Sequence, residues 1–475
     1  MNNLNTNLTQ TEELQLNQRE IYKLLAISPI DGRYYKYTSI LRNYFSEYAF
    51  IKYRLYIEIE YLIFLLENKR VLQSINLEDI FNKYSLTEIF RIIKNIYINF
   101  NPEECLKIKE IEKKTNHDVK SIEYYIKNKL LEYKLDNLVP FIHFGLTSQD
   151  INNTATPLSL KYFINDKYNK ILESIIKKLT QKSYNWGSIV MITKTHGQPA
   201  TPSTLGKEFK VFAYRLEQQM TLLVNTKFWG KFGGATGNLN AHLVAYPFIN
   251  WVNFSNSFIN YLGLERVKHT TQIDNYENLS TIFDNIKRIN LILIDLCRDI
   301  WLYISMNYLK LKIYKNEIGS STMPHKVNPI NFENAEGNLL FANSILEFLS
   351  RKLPISRLQR DLTDSTVLRN LGVVFGHIVI AYQNILIGLD KIEANKEEIK
   401  KVLLDNRIVI AEGIQTVLRR YNYPNAYEKV KEFTRKNKKF TRKDFDEFIE
   451  SLDCTNKVKQ ILKNISVENY IGFVC

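Results

Sequence analysis

Apolar residues recur at helical spacing over most of this chain, and the interruptions between them are short and polar. The spacing runs over residues 41–131 with a break near Asn101 and Pro102. Residues 158–186 contain no Gly or Pro and predict one long helix. Residues 264–318 also lack both, and their apolar positions alternate steps of four and three. This stripe predicts a bundle helix that subunits could share, in an all-α protein; it consists of Ile282, Ile286, Ile289, Leu293, Leu296, Ile300 and Tyr303.

Length and composition change this picture only slightly. The 475 residues exceed what one compact core normally holds, so we expect several domains. The formal charge is +14, but Lys, Asn, Ile and Tyr are abundant together, which is typical of a base-composition bias. The basic residues form no cluster, so we expect no nucleic-acid partner, whereas small anionic substrates fit the charge.

The chain carries no signal that we interpret as an export or membrane signal. Its four cysteines, Cys105, Cys297, Cys454 and Cys475, are far apart and suggest neither a metal site nor a disulfide framework. We judge that no apolar run approaches the roughly 20 residues of a membrane span, and the N-terminus lacks the apolar core of a signal peptide. The sequence therefore predicts a cytoplasmic protein with no membrane partner.

Residues 319–338, GSSTMPHKVNPINFENAEGN, form the most informative polar stretch. Ser320 and Ser321 follow a glycine, and Lys326 supplies a cation. Asn328 followed by Pro329 predicts a helix start, with Glu333 in its first turn. A hydroxyl-bearing, cationic loop at a helix N-terminus suits an anionic ligand, although an ordinary surface connection explains the same residues.

Three further polar patches precede this loop. Arg33 and Tyr34, in a turn, could clamp a phosphate or form a structural ion pair. His117, between Asn116 and Asp118, could be a proton donor, a phosphate contact or a helix cap. Thr147 and Ser148, after a glycine, could bind a carboxylate, but polar loops of this kind are common without function.

The remaining patches surround a histidine and a group of arginines. His196 is expected on irregular chain, and Thr201 followed by Pro202 predicts a new helix start. The glycine-dense residues 230–240 are not a phosphate loop, because no Lys-Ser/Thr pair closes them. Clustered arginines and hydroxyls in residues 356–370, SRLQRDLTDSTVLRN, form a natural anion cradle.

The order of these patches resembles the fumarase/aspartase superfamily. GSSTMPHKVNP is similar to its Gly-Ser-Ser-x-x-Met-Pro-x-Lys-x-Asn-Pro loop, and TTNHDVK, LTSQDINN and THGQPATP precede it in the family's order. PHK and HGQPATP resemble the adenylosuccinate lyase branch, whereas argininosuccinate lyases usually show PQK. DGRYY and QRDLTDSTVLRN resemble its bacterial-type members. The resemblance covers nearly the whole chain from about Ser28.

The resemblance implies a fold and an activity. We expect three helical domains with a long-helix bundle shared in a homotetramer: an N-terminal extension at 1–19, then domains at 20–137, 138–389 and 390–475. The implied reaction is β-elimination of fumarate from adenylosuccinate, leaving AMP, and from the purine precursor SAICAR, leaving AICAR. No cofactor and no metal are implied.

The resemblance also assigns roles to residues. Ser320 is implied as the base, His196 as the acid, and Glu333, Lys326 and His117 as supporting groups. Implied substrate contacts are Arg33, Tyr34, Asn116, His117, Asp118, Thr147, Ser148, Gln272, Ser321, Lys326, Val327, Asn328, Asn334, Arg360, Ser365, Thr366, Val367, Leu368 and Arg369. The alternatives are another fumarate-releasing lyase, such as an argininosuccinate lyase, or a silent helical scaffold.

Overall fold

The structure is a computed structural model that describes residues 18, 20–76, 83–312, 323, 325–435 and 439–473. Helices make up most of these residues, and the described strands form three two-stranded sheets. The prediction of an all-α protein is therefore confirmed. The polar extension at 1–19, apart from residue 18, lies outside the described residues, as do Ser320 and Ser321.

The elements follow one another with short connections. In the first half the helices are α1 (Tyr35–Thr38), α2 (Arg42–Phe45), α3 (Glu47–Leu66), α4 (Lys69–Leu72), α5 (Leu86–Ile98), α6 (Pro102–Thr115), α7 (Asp118–Glu132), α8 (Ser148–Phe163), α9 (Asn169–Asn185) and α10 (Leu205–Asn225). In the second half they are α11 (Asn240–Ala245), α12 (Trp251–Tyr261), α13 (Glu277–Ser305), α14 (Ile330–Lys352), α15 (Thr363–Leu368), α16 (Leu371–Lys391), α17 (Lys396–Asp405), α18 (Ala411–Arg420), α19 (Ala426–Thr434), α20 (Arg442–Glu450) and α21 (Asn456–Lys463). The strands are β1 (Val190–Thr195), β2 (Gln198–Thr204), β3 (Trp229–Gly230), β4 (Glu265–Arg266), β5 (Leu309–Leu311) and β6 (Ile392–Ala394).

The chain divides into two compact units. The first consists of Met1–Ile171, Met220–Asn290 and Asn338–Ala381. The second consists of Leu172–Gln219, Leu291–Gly337 and Tyr382–Cys475. The three-domain division expected from the family resemblance stays a prediction.

Helix α3 is the centre of the first unit. Its residues are mostly buried, and it packs against α5 and α8. Asn101 begins α6 as predicted, because its side chain accepts a hydrogen bond from the Glu104 N–H and Pro102 occupies the first turn. Arg54, Glu58 and Glu60 are buried within α3, so this largely apolar helix also carries charges into the unit's interior.

The second unit holds an aromatic core built by its C-terminal helices. Phe433 stacks on Phe448 with ring centroids 4.2 Å apart, and Phe440 and Phe445 pack around them. The hairpin of β1 and β2 packs against α17, and its Ile192 belongs to this same core. The core therefore supports the hairpin.

Two long helices agree with the sequence pattern. The predicted helix at 158–186 is present as part of α8 and α9, joined by a π-helical turn at Ile164–Tyr168. The predicted stripe lies on α13, where its first six residues are each at most 1% exposed. Helix α14 begins at Ile330, one residue later than the Asn-Pro signal predicts.

Our reading that no apolar run approaches a membrane span was wrong for one stretch. Thr363–Lys391 is long and apolar enough by composition, with a mean hydropathy of 1.7 over its most apolar part. That part is 67% buried inside the protein. Burial of this kind is typical of a core helix, so the composition alone is weak support for a membrane span.

Candidate active site

A cleft of about 630 Å³ in the first unit collects residues from three distant segments of the chain. Eight predicted site residues line it: Asn116, His117, Asp118, Ser148, Arg360, Ser365, Thr366 and Arg369. Four lining residues were not predicted: Glu112, Asn152, Asp361 and Leu362. Two of these were within reach of sequence reasoning, because Glu112 precedes Asn116, and Asn152 follows Ser148, by one helical turn.

The first segment is the junction of α6 and α7. Asn116 ends α6 with a left-handed backbone at φ 51°, and His117 caps α7 by accepting the Lys120 N–H at Nδ1, 3.1 Å away. The helix-cap interpretation of His117 is therefore confirmed. Since Nδ1 accepts, a neutral ring carries its proton on Nε2, so the half-exposed side chain retains a donor for a ligand.

Asp118 lies between two guanidinium groups. Its Oδ2 is 3.1 Å from Arg54 Nη2 and 3.2 Å from Arg369 Nη2, and its Oδ1 accepts the Val119 N–H. Burial raises the pKa of the Asp118 carboxyl, but Arg54, the Val119 N–H and Arg369 outweigh it and hold that pKa below its ordinary value. Asp118 is therefore a carboxylate over the neutral pH range.

The second segment is the start of α8. Asp150 Oδ2 accepts the Thr147 N–H at 2.9 Å, which completes a capping box and fixes the turn before Ser148. Asp150 also accepts the N–H groups of Gly233 and Gly234 and pairs with the buried Lys231. This carboxylate thus joins the predicted Thr-Ser patch to the glycine-dense segment. Thr147 itself is not among the described lining residues.

The third segment runs from Arg360 to Arg369. Ser365 Oγ accepts from Gln149 Nε2 at 3.2 Å, and its N–H donates to Asp364 at 2.7 Å. Asp364 in turn accepts the hydroxyl of the buried Tyr276 at 2.6 Å. These bonds hold Ser365 toward the cleft.

Four other predicted contacts lie in the first unit but not in the described cleft lining. Gln272 accepts from Arg360 Nη1 at 3.1 Å, so it contacts a lining residue. Leu368 is buried behind the lining, and Val367 is half-buried. Arg33 is exposed, with its guanidinium 5.8 Å from the Tyr34 ring centroid.

His196 lies in the second unit, at the tip of a hairpin. β1 and β2 pair with Thr195 opposite Gln198, so His196 and Gly197 are the two turn residues, with φ of 53° and 75°. Positive φ at both residues is what a type I′ hairpin turn requires. His196 is exposed there.

The expectations of irregular chain around His196 and of a helix start at Thr201 and Pro202 were wrong. Both residues lie in β2, and Pro202 is opposite Ile192. A two-stranded hairpin tolerates a proline because each strand is an edge strand. Helix α10 begins after Thr204, whose hydroxyl accepts the Lys207 N–H at 3.2 Å.

The other predicted residues of the second unit are at the approach to α14. Lys326 and Val327 are exposed, while Asn328 and Asn334 are half-buried. Glu333 is exposed and accepts the indole N–H of Trp301 at 3.1 Å. Ser320 and Ser321, predicted as the base and its neighbour, lie outside the described residues.

The described residues contain no cluster of three or more His, Cys, Asp or Glu side chains that could hold a metal ion. The chemistry available in the cleft is that of guanidinium groups, hydroxyls, an imidazole N–H and carboxylates. Such a set can bind and orient an anionic ligand and can move protons.

Solved structures share the fold. A fumarate lyase from Mesorhizobium sp. BNC1 aligns with a TM-score of 0.71 and 16% identity over 91% of this chain and 95% of that protein. A β-carboxy-cis,cis-muconate cycloisomerase from Acinetobacter calcoaceticus aligns with a TM-score of 0.65, also at 16% identity, over 95% of this chain and 97% of that protein. The architecture is therefore that of the fumarate lyase type.

Sequence comparison gives the family. Residues 32–341 match the lyase family, and residues 356–471 match the adenylosuccinate lyase C-terminal domain. An adenylosuccinate lyase of Dictyostelium discoideum is 51% identical over 98% of this chain and 99% of its own length. One from Escherichia coli K12 is 43% identical over 95% of this chain and 98% of its own length. The chain belongs to the adenylosuccinate lyase family.

Proposed function

We propose that this protein is a C–N lyase that eliminates fumarate from adenylosuccinate to leave AMP, and from SAICAR to leave AICAR, in purine nucleotide biosynthesis. The observation that carries the proposal is the cleft: three segments far apart in the sequence, each part of a family motif, line one cavity. Their arginines, hydroxyls and imidazole suit a substrate with a phosphate and two carboxylates.

The proposed substrate contacts follow these groups. Arg360 and residues 365–369 take the nucleotide end, and Arg33 with Tyr34 also contacts the phosphate. Asn116, His117 and Asp118 lie near the phosphate and the reacting dicarboxylate, where the Nε2–H of His117 is a ready donor. Thr147 and Ser148 take a carboxylate; the succinyl group is held by Gln272, Ser321, Lys326, Val327, Asn328 and Asn334.

The reaction needs a base for a weakly acidic C–H and an acid for the departing nitrogen. We assign Ser320 as the base and His196 as the acid. A serine hydroxyl is a poor base at its ordinary pKa, so its alkoxide needs nearby positive charge and backbone N–H groups with water excluded. Lys326 supplies that charge in this proposal, and Glu333 orients His196.

We further propose a homotetramer in the cytoplasm. Helices α13 and α14 expose large apolar side chains: Leu302, Phe341 and Phe348 are 46–52% exposed. Contiguous apolar exposure on long helices is typical of an interaction surface, which supports packing against further copies of this chain. Light scattering coupled to size-exclusion chromatography tests the assembly, and a monomer at micromolar concentration would contradict it.

A substrate panel tests the proposed reaction. Purified protein is given adenylosuccinate, SAICAR, argininosuccinate or aspartate in turn, and the reaction is followed by ultraviolet absorbance. We expect turnover of the two purine compounds only. Turnover of argininosuccinate alone would assign the protein to the sister reaction, and folded protein inactive on all four would favour a silent scaffold.

A further inference from the structure

The described lining of the cleft carries more negative than positive side chains. Three carboxylates, Glu112, Asp118 and Asp361, line it together with only two guanidinium groups, Arg360 and Arg369. An anionic ligand is repelled by such a lining unless another cation acts on it from behind. The described residues contain one cation in that position.

Arg54 lies behind the cleft lining. It is on α3, is only 8% exposed, and does not line the cleft, yet its Nη2 is 3.1 Å from Asp118 Oδ2. Burial lowers the pKa of the Arg54 guanidinium, and Asp118 opposes that effect. An arginine keeps its proton even when buried, so Arg54 is a fixed positive charge next to a lining carboxylate.

Arg369 shares this carboxylate and is also engaged elsewhere. Its Nη2 is 3.2 Å from Asp118 Oδ2, and its Nη1 is 2.8 Å from Glu47 Oε2. Without Arg54, Arg369 would have to compensate both carboxylates alone. Its charge would then be cancelled before a ligand reached it.

A small cavity adjoins Arg54. It has a volume of about 30 Å³, and Arg54, Gln149, Asn152 and Ser365 are among its lining residues. Two buried atoms of this lining, Arg54 Nη1 and Asn152 Oδ1, have no hydrogen-bond partner among the described residues. One is a donor and the other an acceptor, and the volume suits one water molecule, which can accept from the first and donate to the second.

We propose that Arg54 is a positioning residue that neutralises Asp118 so that Arg369 stays available to an anionic ligand, and that Arg54 and Asn152 hold one water molecule behind the cleft. The inference rests on the proposed function only in taking the ligand as an anion. It concerns binding, so it can be tested without turnover.

The groups that act on Asp118 come from several helices. His117 Nδ1 is 3.9 Å from Asp118 Oδ1, and Glu47 and Glu112 act on it indirectly through Arg54 and Arg369. Lys109 pairs with both of those glutamates. Among these groups Arg54 lowers the pKa of Asp118 the most, so its loss should let Asp118 take up a proton at higher pH.

Sulfate is a suitable probe because it stays a dianion from pH 5 to 8. We would measure its dissociation constant calorimetrically for the wild type, Arg54→Met, Arg54→Lys and Lys52→Met. Lys52 is an exposed cation on the same helix, so its variant controls for loss of net charge. We expect Arg54→Met to weaken sulfate binding roughly tenfold at pH 8, and the other two variants to stay within about threefold of the wild type.

The pH dependence separates positioning from a merely structural role. As the pH falls to 5, Asp118 in Arg54→Met should become protonated and release Arg369, so the ratio of the two dissociation constants should shrink. The double variant Arg54→Met/Asp118→Asn contains no unpaired carboxylate at this position, and it should bind sulfate within about threefold of the wild type. It also serves if the single variant does not fold.

A ratio that is constant with pH, or a double variant that binds sulfate as weakly as Arg54→Met, would overturn the positioning role. A crystal structure of the sulfate complex should show one water between Arg54 Nη1 and Asn152 Oδ1; no density there, or a sulfate oxygen there, would overturn the water site. If sulfate binding follows these expectations while adenylosuccinate is not cleaved, only the proposed function fails.

Discussion

Lys231 Nζ lies 2.8 Å from Asp150 Oδ1, and both side chains are fully buried in the first unit. The ammonium also donates to the Gly234 carbonyl at 3.0 Å, while Asp150 accepts three backbone N–H groups. A buried ion pair of this kind is stabilising only when its remaining hydrogen-bond capacity is met. Here the pair fixes the start of α8, which brings Ser148 into the cleft.

Replacing Lys231 should therefore be costly. Lys231→Met leaves the Asp150 carboxylate buried without its cation, and we expect a loss of about 3–5 kcal/mol in the free energy of unfolding. Lys227→Met is the matched control, because Lys227 pairs with Glu265 at the exposed surface, where such pairs contribute about 0–1 kcal/mol. Urea unfolding at a fixed protein concentration measures both. Equal effects of the two variants would show that burial of the Lys231 pair does not matter.

Two glycines with positive φ separate backbone strain from steric contact. Gly145 has φ 67°, and a Cβ there would lie 2.7 Å from the His242 ring. Gly197 has φ 75° with nothing within 4 Å of such a Cβ. Gly197→Ala should cost about 1–2 kcal/mol from strain, and Gly145→Ala should cost more because the buried His242 must move. A smaller loss for Gly145→Ala in the same unfolding assay would refute the contact.

Protein stability should fall in mildly alkaline solution because of His143. Burial lowers the pKa of its imidazole, but the carboxylate of Glu58, 2.6 Å away, and further acidic groups outweigh this and raise the pKa to about 9. The unfolded-state value is about 6.5, so the contribution is fully present below pH 6.5 and is lost as the pH rises through 9. Its size is about 3 kcal/mol.

The comparison for His143 is His143→Gln. The difference in unfolding free energy between the wild type and this variant should be largest at pH 6 and should shrink by pH 9.5. A difference that is constant over that range would mean that the histidine is not charged in the folded protein.

The assigned acid and base make a kinetic prediction. Ser320→Ala and His196→Ala should each lower kcat at least about 100-fold, because each removes one proton transfer, while AMP binding remains. His269→Ala is the control, since that side chain is exposed and has no assigned role. Near-normal fumarate release by either variant would remove its residue from the mechanism.

Helix positions were predictable from the sequence because they depend on local spacing. The Asn101–Pro102 start and the apolar stripe of α13 are both legible in short windows. The strands around His196 were not predicted, since Thr201-Pro202 satisfies the local rule for a helix start. The deciding signals were the His196–Gly197 turn and Thr204, which actually caps α10.

The polar patches of the site could be found from sequence, but the groups that position them could not. Asp150 is part of the LTSQDINN motif, yet its partner Lys231 is 81 residues away and carries no local signal of burial. Arg54 lies within a helix whose pattern reads as apolar core. Such residues are identified by the charge they compensate, which only the folded chain reveals.

Quantification of both products from one substrate tests the central claim most directly. Purified protein is incubated with adenylosuccinate, and fumarate and AMP are separated chromatographically and measured over time. Elimination predicts that the two appear together in equal amounts as adenylosuccinate is consumed. Folded protein that leaves adenylosuccinate intact, or that releases AMP without fumarate, would contradict the account.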